Sequence, residues 1–200
     1  MQDQYSSLIL ASKSPRRREL LQQMGVAFTI HTSDTDESYP EDYALRDIAE
    51  HIAQNKARAV VGDVAKRALI IAADTIVCSG KEVMGKPATK AEAREMLRQL
   101  SGKKHKVITG CAFHGQDEVR RFSVVTDVFM KELSDEEIDY YINHFQPFDK
   151  AGAYAIQEWI GMIGIDTIHG CYFNVVGLPV KRLWEELENV APHFLPTISG

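Results

Sequence analysis

The 200-residue chain is short of cysteine. Cys78, Cys111 and Cys171 are its only three, and no CxxC pair occurs among them. An odd, scattered set favours free thiols in a reducing compartment and argues against a disulfide framework or a structural zinc site. Long apolar runs are also missing. The longest, residues 68–78, is interrupted by Asp74 and Thr75, whereas a membrane span needs about 20 residues. Positive charge is not in excess, since 23 Lys and Arg against 28 Asp and Glu give a formal net charge of −5. A duplex-binding protein is usually basic, so no nucleic-acid partner is expected. Met1–Tyr5 offers neither the basic stretch nor the apolar stretch of a signal peptide, and the expected compartment is the cytoplasm. HExxH, the Walker A glycines, GxGxxG, EF-hand spacing, internal repeats and low-complexity tracts are all absent.

What remains is ordinary globular composition, 44% apolar and 26% charged. A chain of this size should expose roughly 9,500 Å² folded against roughly 32,000 Å² unfolded, enough burial for a core without metals or disulfides. The length suits one domain, 1–200, with two lobes around a cleft. Leu8-Ile9-Leu10 reads as a buried strand. Pro15–Met24 reads as a helix, with Ser14 as its cap, Pro15 in its first turn and Gly25 past its end. Tyr43–Val61 is a longer amphipathic helix, and Ala68–Ala73 and Ile76–Cys78 read as two strands. Thr89 with Glu92, and Ser134 with Glu137, have capping-box spacing for helices reaching Leu100 and His144. Lys106–Phe113 and Val119–Met130 suggest a hairpin turning at Gly115-Gln116-Asp117. Gly161–Ile168 and Cys171–Val176 suggest a second, turning at His169-Gly170, and a last helix follows Pro179. Hairpins mixed with helices give α/β with an elongated mixed sheet flanked by helices.

Several residues break local rules. Arg16, Arg17 and Arg18 crowd a helix N-terminus, where the helix dipole prefers acids. With the loop Ala11-Ser12-Lys13-Ser14 before them they suit an anion cradle, or else a solvated basic turn. Asp74 is the only ionisable group in its apolar stretch, which is costly unless the carboxylate is paired, metal-bound or emerging at a strand end. Lys56 projects within the apolar arc of Leu45, Ile48, Ala49, Ile52 and Val60, so it either snorkels or reaches an anion. Lys86 sits in the rigid turn Gly85-Lys86-Pro87. Asp34, Asp36 and Glu37 form an acidic loop of the oxygen-rich kind that suits Mg²⁺ or Mn²⁺, though most such loops are only solvated. In Phe148–Gln157, small residues would let a ligand approach, and Gln157 could read a base edge with one donor and one acceptor, unless the tract is a packing crossover.

Together these stretches resemble the Maf-like nucleoside triphosphate pyrophosphatases, the septum-formation proteins. The matching segments are Leu10-Ala11-Ser12-Lys13-Ser14-Pro15-Arg16-Arg17, Asp36-Glu37, Asn55-Lys56-Ala57, Ala73-Asp74-Thr75, Gly85-Lys86-Pro87, Leu100-Ser101-Gly102, Asp149–Gln157 and Val176-Gly177-Leu178-Pro179. They run in the family's order from residue 8 to about 187. The resemblance implies a fold similar to inosine triphosphate pyrophosphatases and hydrolysis of a nucleoside triphosphate to monophosphate and pyrophosphate with a divalent cation, Mg²⁺ or Mn²⁺. It implies Asp74 as proton acceptor, with Lys56 and Lys86 as catalytic cations. Ser12, Arg16, Thr75 and Gln157 are implied as substrate-binding, and Glu37 with Asp74 on the metal side. Tyr154-Ala155-Ile156-Gln157 resembles the dTTP- and UTP-directed subfamily rather than the one acting on 7-methyl-GTP. A homodimer is a further expectation from the family. Two positions depart from its pattern, Glu158-Trp159 where a glycine is common and Lys13 where a small residue is. The rival from another class is a nucleotide-binding regulator of division that needs no turnover. A single-strand binder would need aromatics interleaved with a basic groove, and here they are not grouped with Arg16–Arg18.

Overall fold

The computed structural model describes residues 4–115 and 118–197. Gln116 and Asp117, at the expected turn of the first hairpin, lie outside the described residues. Among the described residues, seven strands form a mixed sheet in the order β2-β1-β3-β5-β6-β7, with β4 on β3. By contacts the chain divides into two compact units. The first falls within Met1–Asp74, Thr109–Val124 and Gly177–Gly200, and the second within Thr75–Ile108 and Val125–Val176.

In the first unit, β1 (Ser7–Leu10) pairs in parallel with β2 (Thr29–Ile30) on one side and with the start of β3 (Ala68–Ser79) on the other. Parallel neighbours need crossovers, and these are α1 (Pro15–Gln23) and α2 (Leu45–Arg58). The start and stop of α1 are local chemistry. Ser14 accepts from the Arg17 N–H, Pro15 fills the first turn, and Gly25, at φ 74°, donates back to the Gln22 carbonyl. Helix α2 is shorter than the expected Tyr43–Val61, because a short 3-10 turn, Val61–Asp63, takes over beyond it. Its buried alanines Ala49, Ala53 and Ala57 share one face. A Cβ on Gly110 would lie 2.3 Å from the Ala49 carbonyl carbon, so only glycine there lets α2 lie against strand β5 (Lys104–His114). Ile9, Ile70, Ala72 and Val60 complete this core.

In the second unit, the end of β3 turns back as β4 (Glu82–Met84), pairing Val77 with Met84. Helix α3 (Lys90–Leu100) is capped by Thr89. Here the expected box is rearranged, since the Glu92 carboxylate accepts from the Ala88 N–H. Helix α4 (Asp135–Phe145) shows the full reciprocal box of Ser134 and Glu137. Strand β7 (Ile165–His169) lies antiparallel to β6 (Val119–Met130). Val77, Leu97, Leu100, Val128, Ile138, Tyr141 and Ile160 form the core.

Two expectations are corrected. Residues 68–79 are one strand, so Asp74 lies in its middle and not at a strand end. The second hairpin does not form. Residues 159–164 are helix α5 (Trp159–Gly164), only Ile165–His169 is strand, and α6 (Tyr172–Val176) is helix. A Cβ on Gly161 would fall 1.9 Å from the Ile156 carbonyl oxygen, which makes this glycine a close-approach site in α5. In α6, buried Asn174 donates to the Val107 carbonyl and to Thr126 Oγ1, anchoring a turn of helix where a ladder was expected. Helix α7 (Val180–Val190) follows Pro179 as expected.

Candidate active site

In the first unit the solitary acid and the misplaced lysine answer each other. Asp74 is buried at 8% exposure on β3, and Lys56 on α2 donates to its Oδ1 at 2.5 Å. The same ammonium pairs with Glu37 Oε1 at 2.7 Å. Of the two readings open for Lys56, reaching an anion is therefore the one observed. A buried carboxylate is tolerable when it faces a cation, and this pair explains how β3 runs unbroken through Asp74.

The acidic loop separates into distinct roles. Asp34 pairs with Lys13 at the surface, 2.5 Å apart, which holds its carboxyl below the usual range. Asp36 accepts from the hydroxyl and N–H of Ser38, and these bonds likewise pull it down. Of these three acids, Glu37 is the one paired with Lys56. It and Asp74 converge on one point charge, an arrangement that also fits a hard dication, which binds through one or two carboxylates plus phosphate oxygens. Among the described residues no group of three or more His, Cys, Asp or Glu is arranged to hold a metal. The donor set is thus the carboxylate pair.

At the start of α1 the arginines diverge. Arg16 is half-buried. Arg17 turns inward, where its Nε donates to the Gly177 carbonyl at 2.9 Å and its Nη1 to Ser12 Oγ at 3.2 Å. Burial pulls its pKa below the ordinary arginine range, and the fields of Asp74 and Glu37 oppose that shift. Ser12 is itself buried and accepts from the Ser14 N–H. The sequence puts Arg17 in the basic turn with Arg16 and Arg18, and of the three the family resemblance points only to Arg16 as substrate-binding. Helical spacing held the signal: Arg17 is three and four residues before the two buried positions of α1, Leu20 and Leu21, so it sits over the middle of the buried arc. Ser12, Arg17, Glu37, Lys56 and Asp74 therefore form one connected cluster within the first unit.

The remaining nominated residues belong to the second unit. Thr75 is half-buried on β3. Lys86 is exposed between β4 and α3, in a turn whose Gly85 carbonyl accepts from the Gly152 N–H at 3.0 Å. That bond ties the Lys86 turn to the tract carrying Gln157. Gly152 sits at φ 67° with its Cα against Val77, where a Cβ would approach to 2.8 Å. Gln157 is half-buried, and its Oε1 is buried with no hydrogen-bond partner.

A buried acid, an ammonium and a second carboxylate, beside a serine and an arginine at a helix N-terminus, define a site for polyanion chemistry on an α/β sheet. Residues 7–190 match the Maf-like protein family, and the chain belongs to it. It is similar to a dTTP/UTP pyrophosphatase of Phocaeicola vulgatus, 50% identical over 184 residues, 92% of this chain and 95% of that one. It is similar also to the dTTP/UTP pyrophosphatase of Bacteroides fragilis, 46% identical over 189 residues, 94% and 97%. That of Cytophaga hutchinsonii is 48% identical over 185 residues, 92% and 84%. Among solved structures, a HAM1 protein from Coxiella burnetii aligns with TM-score 0.42 and 16% identity over 62% of this chain and 72% of that one.

Proposed function

We propose that this protein hydrolyses dTTP and UTP to the nucleoside monophosphate and pyrophosphate. The observation that carries the reading is the Lys56 ammonium held between Asp74 and Glu37, inside a chain that belongs to the Maf-like family and is about half identical to relatives named for that activity. Asp74 takes the proton of the attacking water. The water oxygen bonds to the α-phosphorus, the bridge to the β-phosphate breaks, and pyrophosphate leaves. Lys56, Lys86 and Arg16 balance the triphosphate's charge, and Ser12 supplies a hydroxyl donor. Such chemistry is mainly positioning and charge stabilisation. Glu37 and Asp74 would hold Mg²⁺ or Mn²⁺, which supplies further neutralisation of phosphate charge when bound. Thr75 and Gln157 face the nucleoside. The unpartnered Gln157 Oε1 suits the ring N3–H of thymine or uracil, and its amide N–H₂ suits a ring carbonyl. Cytosine presents the opposite pattern at these edges.

The proposal extends to a cytoplasmic enzyme, supported by three free cysteines. Burial pushes Cys78 up to about 11 and Cys111 up to about 12, keeping both thiols protonated. A homodimer rests on the family resemblance. The test is a panel of dTTP, UTP, CTP, GTP and 7-methyl-GTP, assayed for pyrophosphate with and without Mg²⁺. Preference for dTTP and UTP is the expected result. Preference for 7-methyl-GTP would overturn the base assignment and keep the reaction. Binding of dTTP without pyrophosphate release would leave the non-catalytic regulator standing.

A further inference from the structure

Gln157 occupies the third position of a four-residue turn, closed by the Glu158 N–H donating to the Ala155 carbonyl at 3.1 Å. Both ends of that turn meet the same buried hydroxyl. The Ala155 N–H donates to Tyr141 Oη at 3.2 Å, and Tyr141 Oη donates to Glu158 Oε2. The other carboxylate oxygen, Glu158 Oε1, faces the Lys150 ammonium at 3.4 Å, and Lys150, only 7% exposed, also pairs with Asp149. Tyr141 comes from the middle of α4, is fully buried, and stacks on Phe145. Burial, with Glu158 adding to it, pushes the phenol far above its ordinary pKa, so it stays a donor. The Glu158 carbonyl in turn accepts from the Gly161 and Met162 N–H groups at the start of α5. Glu158 therefore joins the Gln157 turn to three neighbours: α4, the Lys150 segment and α5. This is one of the two positions at which the chain departs from the family's usual glycine.

We infer that Glu158 and Tyr141 are positioning residues for base selection, stapling both ends of the turn so that the Gln157 side chain is offered to the pyrimidine edge from one fixed backbone position. The inference rests on the assignment of Gln157 as the base reader. A turn free to shift would carry the Gln157 side chain off the pyrimidine edge, so discrimination depends on how rigidly that turn is held. Neither residue touches substrate in this account, and the chemistry at Asp74 does not depend on them.

The experiment measures kcat and KM for dTTP and CTP in the full-length wild type and in Tyr141→Phe, Glu158→Ala, Glu158→Gln and Gln157→Ala. Tyr141→Phe and Glu158→Ala should raise KM for dTTP about tenfold, leave kcat within about twofold, and narrow the dTTP-to-CTP ratio of kcat/KM about tenfold. Glu158→Gln keeps an acceptor for the phenol and should recover most of that ratio. Gln157→Ala must narrow the ratio as well. If it does, while Tyr141→Phe and Glu158→Ala leave the ratio at the wild-type value, the positioning role is overturned and base reading by Gln157 stands. If Gln157→Ala leaves the ratio unchanged, the base assignment falls and the staple falls with it. Equal losses on dTTP and CTP with an unchanged ratio would mark a brace for folding alone, which also overturns the inference. Should Tyr141→Phe fail to fold, the Glu158→Ala and Glu158→Gln pair decides by the same ratio.

Discussion

In the first unit, polar burial centres on net charge. Lys56 holds Asp74 and Glu37, and Arg17 lies in the field of both while bonding Ser12 and Gly177. In the second unit, much of it is neutral. His105 Nε2 meets the Tyr154 hydroxyl at 2.7 Å and Asn174 ties β5 to β6, while the Tyr141 phenol links the Ala155 N–H to the Glu158 carboxylate, which faces buried Lys150. The difference is chemical. A cation held only by carboxylates can exchange them for phosphate oxygens when a polyanion arrives. A phenol–imidazole pair has no such exchange and serves to hold backbone in place. Charge in the first unit suits a phosphate chain, and the bracing in the second holds that unit's own backbone in place.

That contrast can be broken by removing its charges. Lys56→Ala leaves Asp74 and Glu37 without their shared ammonium, and removing one partner of a buried pair typically costs about 3–5 kcal/mol. Urea unfolding at neutral pH should show a loss of that size. A loss below 1 kcal/mol would mean the cluster is solvated and the contrast is superficial; the scale is that of exposed pairs, about 0–1 kcal/mol.

The second unit should respond to acid in its own way. Burial lowers His105 from 6.5 to about 4. Below pH 6.5 the unfolded chain takes up a proton that the folded chain refuses, so stability falls as pH falls, and the loss is complete only below the folded value. Between pH 6.5 and about 5 this group removes about 2 kcal/mol, at roughly 1.4 kcal/mol per unit. His105→Gln should flatten the slope in that window. An unchanged slope would assign it elsewhere.

The smallest expected effect is at a helix end. Ser134→Ala removes the hydroxyl half of the α4 capping box and should cost about 1 kcal/mol. Because Ser134 is not among the residues assigned to substrate or chemistry, kcat should be unaffected at a temperature where the variant is folded.

Legibility in the sequence followed the range of the interaction. Ser14, Pro15 and Gly25 framed α1, and Ser134 with Glu137 opened α4, because a cap is settled within four residues. Thr89 was also recognisable, but Glu92 had two N–H groups in reach and took that of Ala88. The mixed sheet is legible from hairpin signals alternating with helices, although the second of those hairpins does not form. The continuity of β3 was hidden, since Asp74 is compensated by a lysine eighteen positions earlier on another element. Residues 161–176 read locally as a hairpin, because Gly161 and Asn174 are explained by contacts to Ile156, Val107 and Thr126 that no local pattern announces. At the site, Asp74 and Lys56 stand out as charges out of place, while Glu37 is set apart from its acidic loop only by the family resemblance. Arg17 does not stand out, because three adjacent arginines look alike until the buried face of α1 is fixed.

The most direct test is pyrophosphate release from saturating dTTP by purified Asp74→Asn, with thermal unfolding measured on the same sample. The account predicts a fall in kcat of about 10²–10⁴-fold, the range for losing a general base. Thermal stability should change far less, since Lys56 keeps Glu37. Turnover at the wild-type rate would contradict it.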